Sequence, residues 1–340
     1  MNTGSGEKED RWTTELTVGG RTMYSIDPPA TKAVLWHVAA GCNISCEYCY
    51  GTFDGSSYKE SFKQKNVVQL PEMLDAATDL ANFGFTRAHV CGGEPFLFRD
   101  MWRFLEGLAD RGIERYVLTN GTFLPKGFDE AIANGLFTNL SFSLDSYDAA
   151  VNDQVRERTS DVLRTIRKVL ERRERSRASF DIGLYVVLTR ANLGGVAKLL
   201  DIARQWGFSF ATVQICYLPA GHAKYDSLGL RAADMEEVLG VLETLRNMES
   251  GTFRIPGLPF FALSEAVTGR EDLTAVNCFA DRGGFLFIDA EGNVRRCATR
   301  GDDSAVIGNI RERGLREFVG LADRGPAVCR DVCGDCLGAW

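Results

Sequence analysis

Between residue 34 and about residue 250, the chain alternates short β-rich runs with amphipathic helical segments. This alternation constrains the fold strongly, because parallel strands joined by helices form one sheet with right-handed crossovers. Six such units predict an α/β fold, a partial (β/α)6 TIM-like barrel that is open on one side. The predicted strands are Ala33–Ala40, Arg87–Cys91, Tyr116–Thr119, Leu140–Leu144, Ile182–Leu188 and Ala211–Leu218.

The two ends of the chain differ from this pattern. Residues 1–33 are polar and predict an N-terminal arm with one short strand at Glu15–Val18. Residues 34–250 form the predicted barrel, and residues 251–340 form a linker and a small cysteine-rich β-hairpin/helix domain. Its hairpin is predicted from two apolar runs, Gly284–Asp289 and Asn293–Cys297, joined by a turn with acidic and glycine residues.

Charge and hydropathy exclude several classes of function. The net charge of −7 does not favour binding to nucleic acid. No apolar run approaches the ~18 residues that a membrane span requires. The first residues contain no apolar signal-peptide core, so we expect a cytoplasmic protein. In that reducing compartment, ten cysteines indicate metal binding or catalysis and not structural disulfides.

Three of the cysteines lie directly after the first predicted strand. Cys42, Cys46 and Cys49 have the spacing CxxxCxxC. Three thiolates on one tight loop can ligate three irons of a [4Fe–4S] cluster and leave the fourth iron open. A closed zinc or ferredoxin site would use four protein ligands. A zinc knuckle and reduced core thiols remain the alternatives.

The triad resembles the signature of the radical S-adenosylmethionine (SAM) superfamily, in which an aromatic residue precedes the third cysteine. Tyr48 fills that position and is counted among the cofactor-binding residues. The resemblance implies that the amino and carboxylate groups of SAM chelate the open iron. It also implies reductive cleavage of SAM to methionine and a 5′-deoxyadenosyl radical, with an electron donor such as flavodoxin or ferredoxin.

Further SAM contacts are implied by the same resemblance. The GGEP motif Gly92-Gly93-Glu94-Pro95 follows the second strand, and Glu94 is expected to contact the amino group of SAM. Its two glycines allow the backbone to approach a ligand closely. Asn120, at the end of the third strand, is expected near the methionine part.

The fourth strand and the segment after it carry three more candidates. Ser143 and Asp145 share one face of the strand, and the resemblance places them near the SAM ribose and the substrate. Asp145 is the predicted catalytic carboxylate, with a polar strand end as the alternative. Arg156 is expected to pair with the carboxylate of SAM as a guanidinium fork, with a surface ion pair as the alternative.

The sixth strand places Gln214 and Cys216 on one face, opposite Val213 and Ile215. If the apolar face packs under the helices, Gln214 and Cys216 point into the barrel. Gln214 is then a cofactor-binding candidate. Cys216 is a candidate donor of a hydrogen atom to a substrate radical, as family epimerases require of a cysteine. Simple packing of a buried thiol is the alternative.

The remaining cysteines near the C-terminus resemble the SPASM/Twitch auxiliary-cluster domain. The resemblance implies one auxiliary iron–sulfur cluster, of the [4Fe–4S] type, and the alternative is a structural zinc site. Cys329 is an alternative ligand or a spare. The expected ligands are Cys278, Cys297, Cys333 and Cys336.

These features predict an enzyme that removes hydrogen from an unactivated C–H bond. The favoured reaction is an oxidative modification of a peptide, by a crosslink or a dehydrogenation. The first alternative is a dehydrogenase or epimerase that acts on a small natural-product intermediate such as an aminosugar. The second alternative is a metal-binding protein without catalytic activity.

Overall fold

The computed structural model describes residues 13–18, 21–26, 32–49, 67–216, 218, 222–248, 250–255, 284–295, 306–312 and 315. In the N-terminal arm, β1 (Thr13–Val18) pairs with β2 (Arg21–Ile26) as an antiparallel hairpin. The prediction of a single strand at Glu15–Val18 was therefore wrong. The Gly19-Gly20 dipeptide between the two strands is a hairpin signal that would have revealed the second one.

The central sheet is built from six parallel strands in chain order. Each pairs in parallel with the next, and the predicted alternation of strands and helices is confirmed. Among the described residues, β8 pairs with no strand at the far edge of the sheet, so the barrel is open as predicted. The strands are β3 (Lys32–Ala39), β4 (Phe85–Gly92), β5 (Glu114–Thr119), β6 (Asn139–Ser143), β7 (Asp181–Leu188) and β8 (Phe210–Ile215).

Helices cover the outer face of this sheet. They bury one large apolar cluster, to which β3 contributes Val34, Trp36 and Val38. In the part of the chain that the structure describes, no helix is both long and apolar enough to span a bilayer. The helices are α1 (Leu70–Asn82), α2 (Met101–Ala109), α3 (Phe128–Ala133), α4 (Ala149–Asn152), α5 (Thr159–Ser176), α6 (Val196–Gln205), α7 (Tyr225–Leu228) and α8 (Met235–Met248).

The start of α1 illustrates how local sequence sets these helices. Gln69 and Glu72 form a capping box, in which the Gln69 backbone N–H donates to Glu72 Oε2 at 2.7 Å. Pro71 follows in the first turn, where its missing N–H costs nothing. Buried residues at helical spacing, such as Met73 and Leu80, then face the sheet.

The C-terminal hairpin extends the central sheet, whereas the sequence analysis assigned it to a small domain of its own. Strand β9 (Phe285–Ile288) pairs in parallel with β3, and β10 (Asn293–Arg295) and β11 (Val306–Asn309) follow in antiparallel order. All four residues of β9 are buried. A strand with apolar residues on both faces must be covered on both faces. Strand β9 is covered in this way because it lies beside β3 within the sheet.

The inner face of the sheet is much more polar than the outer one. The cross-strand register alternates buried apolar residues under the helices with small or polar residues on the opposite side. These inner residues are themselves almost fully buried, so the interior offers hydrogen-bonding groups shielded from water. They include Asn139, Ser141, Ser143, Thr212, Gln214 and Cys216.

Candidate active site

The cysteine loop leaves the sheet at the carboxyl end of β3. Cys42 is buried and Cys46 and Cys49 are partly exposed, and none of them is in a disulfide. The backbone of the loop is tied down where Glu47 N–H donates to the carbonyl of Val155 at 2.9 Å. Three reduced thiols are thus presented from one segment.

Two glycines let the end of β4 pack directly against this loop. Gly92 has a φ of +137°, and a Cβ on it would lie 2.7 Å from the carbonyl oxygen of Ala39. A Cβ on Gly93 would lie only 2.0 Å from the carbonyl oxygen of Gly41. Neither contact is possible for a larger residue without moving backbone. The GGEP motif and the cysteine loop therefore form one rigid unit.

Glu94 is a fully buried carboxylate inside that unit. Its Oε1 accepts from Thr119 Oγ1 at 2.8 Å and from the backbone N–H of Phe96 at 3.1 Å, and its Oε2 accepts from Asn120 N–H at 2.8 Å. Three donors serve about four lone-pair positions, which leaves one on Oε2 for a ligand donor. Burial raises the pKa of Glu94 to about 7, against the opposing effect of these hydrogen bonds.

Asn120 joins the third strand to the first cysteine. Its Nδ2 lies 3.5 Å from Cys42 Sγ and donates to Asn43 Oδ1 at 2.8 Å. Thr122 completes the bracket, because its hydroxyl donates to Asn120 Oδ1 at 2.8 Å and accepts from Asn43 Nδ2 at 2.7 Å. Sequence reasoning missed Asn43 and Thr122. Their position beside a predicted ligand and a predicted strand end was the available signal.

Asp145 and Arg156 form a buried ion pair, with Asp145 Oδ2 2.8 Å from Arg156 Nε. The hydroxyl of Tyr48 also donates to Oδ2, and the backbone N–H of Val187 donates to Oδ1 at 2.8 Å. Burial lowers the pKa of Arg156, but Asp145, Tyr48 and Cys46 together raise it, so that this pKa lies well above its usual value. The pair is buried and is not the surface ion pair considered above.

Arg156 also links this pair to the cysteine loop. Its guanidinium carbon lies 5.2 Å from the centre of the Tyr48 ring, and its Nη1 lies 3.9 Å from Cys46 Sγ. A charged donor next to a ligand sulfur stabilises negative charge on that sulfur. Three residues predicted separately from the sequence, Tyr48, Asp145 and Arg156, are therefore one contact network.

Two asparagines that the sequence analysis did not single out hold this network in place. Asn152 Oδ1 accepts from the backbone N–H of Asp145 at 2.9 Å. Asn192 Nδ2 donates to the carbonyl oxygens of Asp145 and Val187, both at 2.9 Å. Each lies in a segment that follows a parallel strand, and the carboxyl ends of such strands converge.

The sixth parallel strand brings Gln214 and Cys216 to the inner face of the sheet. Cys216 packs in a small apolar cluster with Tyr48, Val155 and Leu228. Burial raises the pKa of Cys216 to about 12, so the residue remains a thiol at neutral pH. Gln214 is buried, and among the residues that the structure describes its Nε2 has no hydrogen-bond partner. Such a donor is satisfied when a ligand with an acceptor binds beside it.

The site residues fit a three-cysteine [4Fe–4S] cluster and SAM in their donor chemistry. The loop supplies three thiols, and the glycine cradle and Glu94 supply a close backbone approach and a free acceptor. Among the described residues, no group of three His, Cys, Asp or Glu side chains surrounds a single ion. A cubane cluster does not require this, because each thiolate binds a different iron. The candidate auxiliary ligands Cys278, Cys297, Cys329, Cys333 and Cys336 lie outside the described residues.

Comparison with known families agrees with this site. The family model described as the Radical SAM superfamily matches residues 36–200. That span begins in β3, ends in α6 and includes the cysteine loop, the GGEP motif and the Asp145–Arg156 pair.

Individual relatives extend the similarity beyond that span. An AdoMet-dependent heme synthase of Methanosarcina barkeri is 24% identical over 90% of this chain and 88% of its own length. The mycofactocin maturase MftC of Mycolicibacterium smegmatis is 27% identical over 84% of this chain and 69% of its own. The crystal structure of Streptococcus suis SuiB bound to S-adenosylmethionine has a TM-score of 0.67 at 16% identity, over 91% of this chain and 73% of SuiB. This structural likeness shows a common fold.

Proposed function

We propose that this chain, a radical SAM enzyme through the domain at residues 36–200, oxidatively modifies a peptide by a crosslink or a dehydrogenation. The observation that carries the proposal is the similarity to the maturase MftC, which spans 84% of this chain and continues past the radical SAM domain. The buried, hydrogen-bonding inner face of the sheet supports it, because abstraction from an unactivated carbon requires exclusion of water.

In this proposal Cys42, Cys46 and Cys49 hold the cluster. When bound, the cluster and SAM supply the 5′-deoxyadenosyl radical that takes a hydrogen atom from the substrate. Glu94 accepts from the amino group of SAM through Oε2, and Gly92 and Gly93 allow its close approach.

The other residues orient SAM and the cysteine loop. Asn120 holds the loop through Asn43, and Ser143 and Gln214 line the interior beside the ribose and the substrate. Asp145 acts as a positioning residue in this proposal, because its oxygens accept hydrogen bonds from Tyr48, Arg156 and Val187 and so hold these three groups together. Arg156 has its Nε on Asp145, so a SAM carboxylate can meet only its Nη groups.

The C-terminal cysteines complete the proposal. Cys278, Cys297, Cys333 and Cys336, with Cys329 as the alternative ligand, hold one auxiliary [4Fe–4S] cluster. Held there, such a cluster would supply an acceptor for the electron that is left after an oxidative hydrogen abstraction. A flavodoxin or ferredoxin supplies the electron that starts each turnover.

The first experiment measures 5′-deoxyadenosine from anaerobically reconstituted protein with SAM and a strong reductant. The control is the Cys42→Ala/Cys46→Ala/Cys49→Ala variant. We expect 5′-deoxyadenosine only from the intact protein. When a candidate peptide encoded beside the gene for this chain is added, we expect the mass of that peptide to fall by two hydrogen atoms. A fully loaded cluster whose spectrum does not change on adding SAM would contradict the assignment.

A second candidate function is the dehydrogenation or epimerisation of a small molecule. The heme synthase relative favours it, because its similarity covers 90% of this chain. An epimerase that uses Cys216 as the hydrogen donor is a variant of this function. It predicts one solvent deuterium in the product in D₂O, which Cys216→Ala abolishes, whereas peptide oxidation predicts none.

A further inference from the structure

Strands β10, β9 and β3 are neighbours in the sheet, and each contributes one residue to a partly polar surface on its inner face. Arg295 on β10 lies directly opposite Phe287 on β9, and its guanidinium carbon is 5.8 Å from the centre of the Phe287 ring. On the other side of Phe287, the His37 ring on β3 makes an edge contact at 4.7 Å. His37, Phe287 and Arg295 therefore line one surface, which we call the His37–Arg295 wall.

This wall adjoins the proposed SAM site. His37 is paired in register with Cys91, and the next residue along β4 is Gly92 of the GGEP motif. Neighbouring strands are about 4.8 Å apart. Arg295 lies on the second strand beyond β3, about 10 Å from β3 across the sheet. One substrate in the interior can therefore extend from the proposed SAM site to Arg295.

Among the described residues, one hydrogen bond is found for the guanidinium of Arg295, from Nη1 to Asp289 Oδ2 at 2.8 Å. Its Nε is buried and has no hydrogen-bond partner within this part of the chain. A guanidinium has donors and no acceptor, so no change of orientation assigns Nε a different role. A buried N–H without an acceptor has lost its hydrogen bond to water without compensation, which is unfavourable. A ligand acceptor at this position removes that cost.

Asp289 cannot turn to serve the second edge of Arg295. Its Oδ1 accepts from the backbone N–H groups of Glu291 at 3.0 Å and Asn293 at 2.9 Å. Its Oδ2 accepts from Asn293 Nδ2 at 3.0 Å in addition to Arg295. The turn of the hairpin thus fixes Asp289, and Asp289 fixes the plane of the guanidinium.

We infer that the Nε–Nη2 edge of Arg295 binds a carboxylate of the substrate. This edge presents two parallel N–H groups, which match the two oxygens of a carboxylate and only half match a single amide oxygen. The inference rests on the proposed function and names its substrate class: a peptide with an acidic side chain or a free C-terminus at the anchored residue. Burial lowers the pKa of His37 to about 4, so at neutral pH Arg295 and not His37 supplies the cation of the wall.

The experiment uses two probes that differ only in the group to be recognised. N-acetylglutamate α-methylamide and N-acetylglutamine α-methylamide are titrated by ligand-observed NMR into anaerobic, cluster-loaded protein with SAM. We expect the carboxylate probe to bind about tenfold more tightly, as a charge-assisted pair of hydrogen bonds requires. Equal binding, or no binding of either probe, overturns the inference.

Three variants test whether Arg295 causes the preference for the carboxylate probe. Arg295→Met is expected to remove the preference for the carboxylate. Arg295→Lys retains the cation and its ion pair with Asp289, so it folds, but it loses the double donor edge and most of the preference. Arg172→Met removes a partly exposed arginine of α5 that pairs with the exposed Asp129, and the preference should remain. A preference that survives in both Arg295 variants overturns the inference.

Failure of the inference and failure of the proposed function give different results. If wild-type protein forms 5′-deoxyadenosine but does not distinguish the probes, only the carboxylate site is wrong. If the probes are distinguished but no 5′-deoxyadenosine forms, the proposed chemistry is wrong and the carboxylate site stands.

Discussion

At the scale of single residues, two buried carboxylates organise the site in opposite ways. Glu94 is surrounded by neutral donors, and burial raises its pKa to about 7. Asp145 has a buried cation, Arg156, as its partner at 2.8 Å. A neutral setting leaves a carboxylate ready for a ligand donor, whereas an ion pair uses the carboxylate to hold protein groups in place.

The pKa of Glu94 predicts how SAM binding depends on pH. Below about pH 7 the carboxyl group takes up a proton, loses its acceptor position and binds SAM more weakly. We expect the affinity to fall by up to about tenfold for each pH unit below that pKa. Equilibrium dialysis of cluster-loaded protein with labelled SAM measures it. Glu94→Gln should bind weakly without this acid dependence, and Glu106→Gln, at an exposed position on α2, should behave as wild type. Equal slopes in all three would contradict the prediction.

Removal of Arg156 is expected to leave a buried charge without a partner. Arg156→Met should lower the free energy of unfolding by about 3–5 kcal/mol, and Asp145→Asn in addition should restore part of it. Urea denaturation of the iron-free, reduced protein measures both. Arg172→Met, at an exposed pair, should cost about 0–1 kcal/mol. A double variant no more stable than Arg156→Met would show that Asp145 carries no such charge penalty.

At the scale of elements, the close contact between β4 and the cysteine loop determines where the proposed cofactors meet. The backbone N–H of Gly93 donates to Ala39, and that of Glu94 donates to Gly41, both at 2.9 Å. These bonds continue the β3–β4 pairing beyond the strands themselves. The proposed cluster ligands and the proposed SAM-binding carboxylate are therefore positioned by one pair of parallel strands.

The same contact predicts the effect of one added methyl group. Gly93→Ala places a Cβ against the backbone of Gly41, so we expect loss of bound iron and of SAM binding with the sheet retained. Iron content after reconstitution and far-UV circular dichroism measure the two effects. Gly195→Ala is the matched control, because a Cβ there has no atom within 4 Å. Full iron loading of Gly93→Ala would show that the loop can move away.

At the scale of the whole molecule, the hairpin strands extend the main sheet on the β3 side. Ile288 on β9 is fully buried and belongs to the same apolar cluster as Val34 and Trp36 of β3. Strand β3, which leads into the cysteine loop, is therefore an interior strand, flanked by β4 and β9. A connection of this kind makes the barrel and the C-terminal strands depend on each other for stability.

This continuity predicts a global effect of a truncation in the hairpin. Ile288→Ala should lower the free energy of unfolding by about 2–5 kcal/mol, the usual cost of a cavity in a core. Hydrogen exchange should show reduced protection of β3 amides as well as β9 amides. Leu97→Ala, at an exposed position, should change neither. Loss of protection confined to β9 would indicate that the hairpin unfolds independently.

The sequence by itself determined the order of strands and helices, the open α/β sheet and the cysteine and GGEP motifs. These follow from hydrophobic periodicity and from spacings of a few residues, which a linear chain displays directly. Helix α1 illustrates this, because its capping residues and apolar stripe are local. The role of the five C-terminal cysteines as ligands of an auxiliary cluster remains a prediction from the sequence.

Only the tertiary structure decided which distant residues meet. Tyr48 and Asp145 are 97 positions apart, and Asn120 and Cys42 are 78 apart, yet each pair is in contact. The place of β9 beside β3 is another such result. Parallel pairing brings the ends of strands together at distances unrelated to their separation along the chain, and burial then requires that polar side chains at those ends find partners. The Asp145–Arg156 pair and the His37–Arg295 wall follow from that requirement, and no local sequence pattern predicts either of them.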